Sequence, residues 1–245
     1  MDDINQQIIE RSLSQARLST YKRASSGHTC STLQLYTWNA NIAAEFFFPL
    51  HFCEIVIRNA VSEALTTTYE EKWPWSANFL RNLPNKGKYR QRQDLENTSK
   101  THTTTGKVVL ELKFVFWQKM FTRRFDERLW RQQLHRVFPF LPDAQPIDIS
   151  RENIYQLLEQ VRRLRNRIAH HEPIFQRDLA TDYQAIHTLI YWRCPQTASH
   201  MHQYQQVTAT LDHDPRKKTF RFNGSRTPLP VKQHPCLNRR TPIKK

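Results

Sequence analysis

Along most of this chain apolar residues return every three or four positions, and the strict alternation of a half-buried strand is rare. That spacing predicts helices rather than sheets. A short helix is expected over Ser14 to Ala24, closed by the turn-forming Ser25-Ser26-Gly27. An apolar and aromatic run follows, from about Leu33 through Phe46-Phe47-Phe48 to Pro49, and continues over His51 to Thr66. Pro49 starts a second helix or kinks one long helix, because its ring removes a backbone hydrogen bond and crowds the preceding turn. Trp73-Pro74-Trp75 reads as a loop, Lys86 to Lys100 as a solvated helix, and Thr101 to Gly106 as a polar loop. Val108 to Phe121 is apolar on most sides and reads as one central, buried helix. Asp126 to Val137 is amphipathic and stops at Phe138-Pro139, and Pro142 to Pro146 connects it to a helix for which Ser150 is the expected cap. A last core helix runs from about Asp178 to Trp192, and beyond about residue 205 the periodicity fails.

The helix after Ser150 carries the sharpest pattern. With Ile154 at zero and a step of about 100° per residue, Leu157, Leu158, Val161, Leu164 and Ile168 fall within a stripe about 120° wide. Arg165 falls inside that stripe, whereas Arg162, Arg163 and Arg167 lie outside it. A charge on a core face costs several kcal/mol unless it is paired or reaches water. Arg165 either snorkels along its aliphatic stem or has another use.

Composition bears on that choice. The chain has 245 residues, with 37 Lys plus Arg against 22 Asp plus Glu and a formal net charge of +15. Pro215 to Lys245 holds ten basic residues, five prolines and no acid, so the body is close to neutral and carries a basic appendage that reads as largely disordered. The division expected is one helical domain over 1–205 and a basic, proline-containing tail over 206–245. Only four glycines occur, too scattered for a phosphate-binding loop or a dinucleotide fingerprint. Cys30, Cys53, Cys194 and Cys236 are far apart, and no cluster has metal-ligand spacing, so neither a metal nor a cofactor is expected. The start, Met1-Asp2-Asp3, has no apolar signal core, and Val108 to Phe121 is too short and too charged to span a bilayer. Unpaired cysteines fit a cytoplasmic protein without membrane association.

Arg165-Asn166-Arg167-Ile168-Ala169-His170-His171-Glu172-Pro173 places a histidine five residues after the arginine, with Asn166 four residues before His170. Pro173 disfavours helix at Glu172, which puts both histidines in the final turn. Arg-x4-His with Asn directly after the Arg resembles the signature of HEPN domains, helical bundles that include many metal-independent ribonucleases. Leu35-Tyr36-Thr37-Trp38-Asn39, Glu54 with Arg58-Asn59-Ala60, Phe114-Val115-Phe116-Trp117, Leu129-Trp130-Arg131 and Arg163 to Phe175 occur in that order. The ordered set resembles the Abi-like (abortive infection) family of bacterial proteins over about residues 12 to 200. At Phe114-Val115 that family has smaller residues such as Ser and Gly.

The resemblance implies an all-α, HEPN-like bundle with additional N-terminal helices, acting on RNA as a homodimer and paired with an antitoxin, in some relatives a noncoding RNA. The chemistry suits the residues. In RNA the 2′-hydroxyl can attack the neighbouring phosphate, which needs proton transfers near neutral pH and charge stabilisation on the phosphorane. Histidine serves the first need and the planar, always-charged guanidinium the second. His170 is the expected acid/base and Arg165 the phosphate ligand. Asn166 orients either the imidazole or the phosphate, and His171 is a second candidate histidine. Arg162, Arg163 and Arg167 either contact RNA backbone or form a solvated face. Glu54 and Arg58 read as an intrahelical ion pair. Two other readings stay open: a noncatalytic module holding a structured noncoding RNA, and a protein-interaction subunit with no RNA role.

Overall fold

The computed structural model describes residues 3–217. The expectation of disorder for the basic tail beyond residue 217 lies outside the described residues. Twelve α-helices, two 3₁₀ turns and one π-helical turn make up the described chain, with no strand among them. The fold is all-α.

Its axis is α3 (Thr32–Tyr69), which runs unbroken through Pro49. Ser31 and Gln34 close its N-terminus with a reciprocal capping box, each side chain accepting the other's backbone N–H. By length and hydropathy α3 is long and apolar enough to cross a membrane, and a third of its most apolar window is buried (33%); in the fold, α2 (Gln15–Ser25), α10 (Leu179–Arg193), α11 (Pro195–Tyr204) and α12 (Val207–Asp212) pack against it. Outside these, α1 (Asp3–Leu13) packs chiefly on α2 and leaves Ile4 and Ile8 exposed.

A second layer comes from the middle of the chain. Trp73–Trp75 forms a 3₁₀ turn and is followed by α4 (Ala77–Asn82) and α5 (Gln91–Thr101). The expected single helix over Val108 to Phe121 is two helices, α6 (Thr105–Glu111) and α7 (Phe114–Lys119), separated by extended backbone at Leu112 and Lys113. One straight helix apolar all round would leave half its apolar surface wet. The corner buries Val108, Val109 and Leu112 in one direction and Phe114, Phe116 and Trp117 in another. Despite the bulk of Phe114, α7 packs on both α3 and α9.

Asp126–Trp130 winds as a π-helical turn into α8 (Arg131–Val137). The Trp130 ring stacks on Phe121 with centroids 4.5 Å apart, and its indole N–H donates to the Met120 carbonyl at 2.7 Å.

The next helix, α9 (Ile147–Ala169), begins earlier than expected. Pro146 occupies the cap position, and Ser150 is not a cap but a buried residue of the first turns. The last core helix begins where expected, and Asp178 caps it, accepting the Thr181 N–H at 3.0 Å. The boundary at 205 also moves: Val207 is fully buried, and the Trp38 indole N–H donates to the Thr210 carbonyl at 3.0 Å, so residues up to 217 belong to the folded body.

Candidate phosphate-binding site on helix α9

The stripe on α9 is buried as its spacing predicts: Ile154, Leu158, Val161, Leu164 and Ile168 all face the core, with Leu157 half-buried. Arg165 departs from it. Although its position lies between those of Ile154 and Leu158 around the helix, it is exposed. The corner between α6 and α7 stands off from the upper half of α9 and leaves a cavity of about 910 Å³, which Arg162, Arg165 and Asn166 line.

The walls of this cavity are strongly basic. Lys86, Lys88, Lys113, Lys119, Arg162 and Arg165 line it against two carboxylates, Glu54 and Glu111. Their hydrogen bonds separate structural cations from free ones. Lys113 pairs with Asp94 at 3.2 Å. Lys119 donates to the Tyr155 hydroxyl at 2.8 Å and sits over the Tyr155 ring. Glu159 receives Arg162 through both nitrogens at 3.0 and 2.7 Å, Arg163 at 2.8 Å, and the buried Gln118 amide at 2.6 Å. Burial opposes ionisation of Glu159, but those donors, Arg162 first, hold its carboxyl down at about 2. Arg167 pairs with Glu172 at 3.3 Å. Among the described residues Arg165 alone of these four arginines has no carboxylate partner.

Glu54 is the acidic counterpart on α3. It is half-buried on the cavity wall and forms no ion pair with Arg58 among the described residues, so the expected intrahelical pair is not formed. Sequence reasoning also missed Lys86 and Lys88, which come from the loop before α5; no periodicity marks a loop lysine as facing a helix some 80 residues away.

The histidines sit elsewhere. α9 ends at Ala169, His170 is its C-cap, and His171 lies beyond the helix with φ of 54°, in the left-handed region. The Glu172 N–H donates to the Arg167 carbonyl at 2.8 Å and the His171 N–H to the Ile168 carbonyl at 3.0 Å. That pair of bonds is the Schellman closure, in which glycine usually takes the left-handed position. Neither ring has a hydrogen-bond partner among the described residues. The backbone N–H of His170 donates to the Asn166 carbonyl at 3.0 Å, but no side-chain bond joins Asn166 to His170. His170 is exposed and does not line the cavity. Five residues on a helix turn through about 500°, so Arg165 and His170 point about 140° apart.

The turn that carries the histidines is held from outside. The Arg17 guanidinium of α2 donates to the His171 carbonyl. Asn39 of α3, itself buried, accepts the backbone N–H groups of Ile174 at 2.8 Å and Phe175 at 3.1 Å through its amide oxygen. Asn39 belongs to one of the segments singled out in the sequence, but only the fold shows what it binds. Comparisons of the chain with protein-family models, with curated proteins and with solved structures find no match.

Proposed function

We propose that this chain is a metal-independent, HEPN-type endoribonuclease, a bacterial toxin or abortive-infection effector working in the cytoplasm as a homodimer. The observation that carries the reading is the state of Arg165. It is exposed in a basic cavity and free of carboxylates, while Arg162 and Arg163 share Glu159 and Arg167 pairs with Glu172. A charge kept unpaired beside a cavity is available to an anionic ligand, and a guanidinium fits two phosphate oxygens at once.

In this reading RNA phosphate enters between Arg165 and the lysines of the α5 side, and Asn166 hydrogen-bonds the phosphate or the attacking hydroxyl. Arg162, fixed by Glu159, adds charge at the cavity edge, and Arg163 and Arg167 serve structure more than RNA. His170 and Arg165 diverge on one chain, so the acid/base histidine is supplied across a two-fold axis, which sets His170 of one copy against Arg165 of the other. His170 takes the proton from the 2′-hydroxyl, the 2′-oxygen bonds to phosphorus, and the bond from phosphorus to the 5′-oxygen breaks as that oxygen takes a proton from the partner's His170 in its imidazolium form. The products are a 2′,3′-cyclic phosphate and a 5′-hydroxyl. None of these steps calls for a metal.

The position of His170 outside the cavity favours one other reading, a noncatalytic module that grips a structured noncoding RNA; a bound antitoxin RNA would use the same cations. The deciding experiment incubates RNA with wild type and with His170→Ala in EDTA and identifies the new ends. Cleavage by wild type alone, with cyclic phosphate ends, is expected. Salt-dependent RNA binding without cleavage by either protein establishes the module instead, and cleavage that returns only with Mg²⁺ or Mn²⁺ contradicts the proposed chemistry.

A further inference from the structure

Residues 207–217 cross back over the segment that carries the two histidines. Arg216 lies with its guanidinium over Trp38 of α3, at 5.8 Å from the ring centroid, and over Phe175, at 5.2 Å. Asp214 fixes that guanidinium, accepting from Nε at 3.0 Å and from Nη2 at 2.6 Å. Burial opposes ionisation of Asp214, but the bonds from Arg216 hold its carboxyl below the ordinary range. Two further bonds anchor the crossing: the Trp38 indole N–H donates to the Thr210 carbonyl at 3.0 Å, and the His28 Nδ1–H donates to the Arg216 carbonyl at 3.2 Å.

Phe175 is the shared element. Its ring packs on Tyr21 of α2 with centroids 5.2 Å apart, its N–H is held by Asn39, and Arg216 covers it from the third side. Four residues earlier stands His171 in its left-handed conformation, its carbonyl held by Arg17. A non-glycine residue in that region is strained and persists only where its surroundings hold it. The chain places that strain in the turn bearing His170 and His171, and it brings α2, α3 and residues 207–217 to the same turn.

We propose that residues 207–217 are a strap and that Arg216 is a positioning residue, which sets the His170–His171 turn for RNA cleavage by clamping Phe175. The catalytic part of this inference rests on the function proposed above. The clamp itself rests on contacts alone. Arg216 does not line the Arg165 cavity, so loosening it should disturb turnover and spare RNA capture.

Full-length wild type, Arg216→Ala and Arg216→Lys are compared by amide hydrogen exchange and by RNA cleavage. In Arg216→Ala, exchange at residues 171–175 is expected to quicken about tenfold, with α3 and α10 unchanged, as for a local opening. Its kcat should fall about tenfold with KM unchanged. Arg216→Lys keeps a cation over both rings and should lie between the two. Unchanged exchange at 171–175 overturns the strap. Faster exchange throughout the molecule, or a rise in KM with kcat intact, overturns the positioning role. Should Arg216→Ala not fold, Arg216→Gln keeps the length and polarity and carries the same expectation. Wild type that cleaves no RNA sinks the proposed function, and the exchange pattern then decides the strap by itself.

Discussion

Two arginines on one face of α9 meet opposite fates. Arg151, in the second turn, is buried and paired with Asp126 at 2.8 Å. Arg165, four turns further on and within about 40° of the same direction, is exposed and unpaired among the described residues. Burial would push the Arg151 guanidinium towards deprotonation, but Asp126 and then Glu152 more than compensate and hold it charged. The lower half of the helix is thus covered by the π-helical turn over Asp126–Trp130, which brings its own carboxylate. The upper half meets the corner between α6 and α7, which brings lysines and leaves room. One amphipathic pattern therefore holds two solutions to the same problem: a charge on a core face is neutralised where the cover is tight, and left for a ligand where the cover stands off.

The largest expected effect comes from breaking the tight solution. Asp126→Ala takes the main partner from a buried guanidinium and leaves it Glu152, which is half exposed; the cost should approach the roughly 3–5 kcal/mol of a broken buried pair, read as a fall in Tm or in the denaturation midpoint. A loss below about 1 kcal/mol would mean that water reaches Arg151 and that the two arginines differ less than their burial implies.

A smaller effect tests the neutralised rim of the cavity. The Glu159 carboxyl titrates at about 2 in the fold against an ordinary value of 4.5. A depressed carboxyl stabilises fully above its unfolded value, and that stability is lost as pH falls from about 4.5 through 2. Acid unfolding of wild type over that window should be steeper than that of Glu159→Gln, in which the step is absent. Identical acid profiles would show that Arg162 and Arg163 are not fixed by Glu159.

The smallest effect concerns the histidine turn. His171→Gly relieves the left-handed strain but loosens the unfolded chain, so a net gain of about 0.5 kcal/mol is expected. If cleavage survives in that variant, His170 is the working histidine; if it vanishes while His170→Ala stays active, the two roles are exchanged.

How much of this was legible in the sequence follows from how local each signal is. The stripe from Ile154 to Ile168, the helix from about Asp178 and the helical runs on either side of Pro49 depend on neighbours a few residues apart, and the fold agrees with them, although it joins the two runs into one helix rather than starting a second at Pro49. Ser150 misled because a good capping side chain lost to Pro146, whose fixed φ ends the preceding loop as well. The break at Leu112 and Lys113 arises from what each half packs against, which composition does not encode. Thr210 and Arg216 both meet Trp38, more than 100 residues away, so a segment without periodicity still joins the body. At the site, the spacing pointed to Arg165, Asn166 and His170 but not to their separation, because a helical interval of five residues turns side chains apart unless a second chain intervenes.

The most direct test sets the stability of Arg165→Ala against its activity. Truncating an unpaired, exposed arginine should move Tm by no more than about 1 °C, while RNA cleavage falls by about 10² or more, the usual scale for a lost charge stabiliser. The contrary result is a variant that melts several degrees lower, as Asp126→Ala should, yet cleaves RNA at the wild-type rate per folded molecule; Arg165 would then be a structural residue like Arg151, and the cavity would have no claim to phosphate.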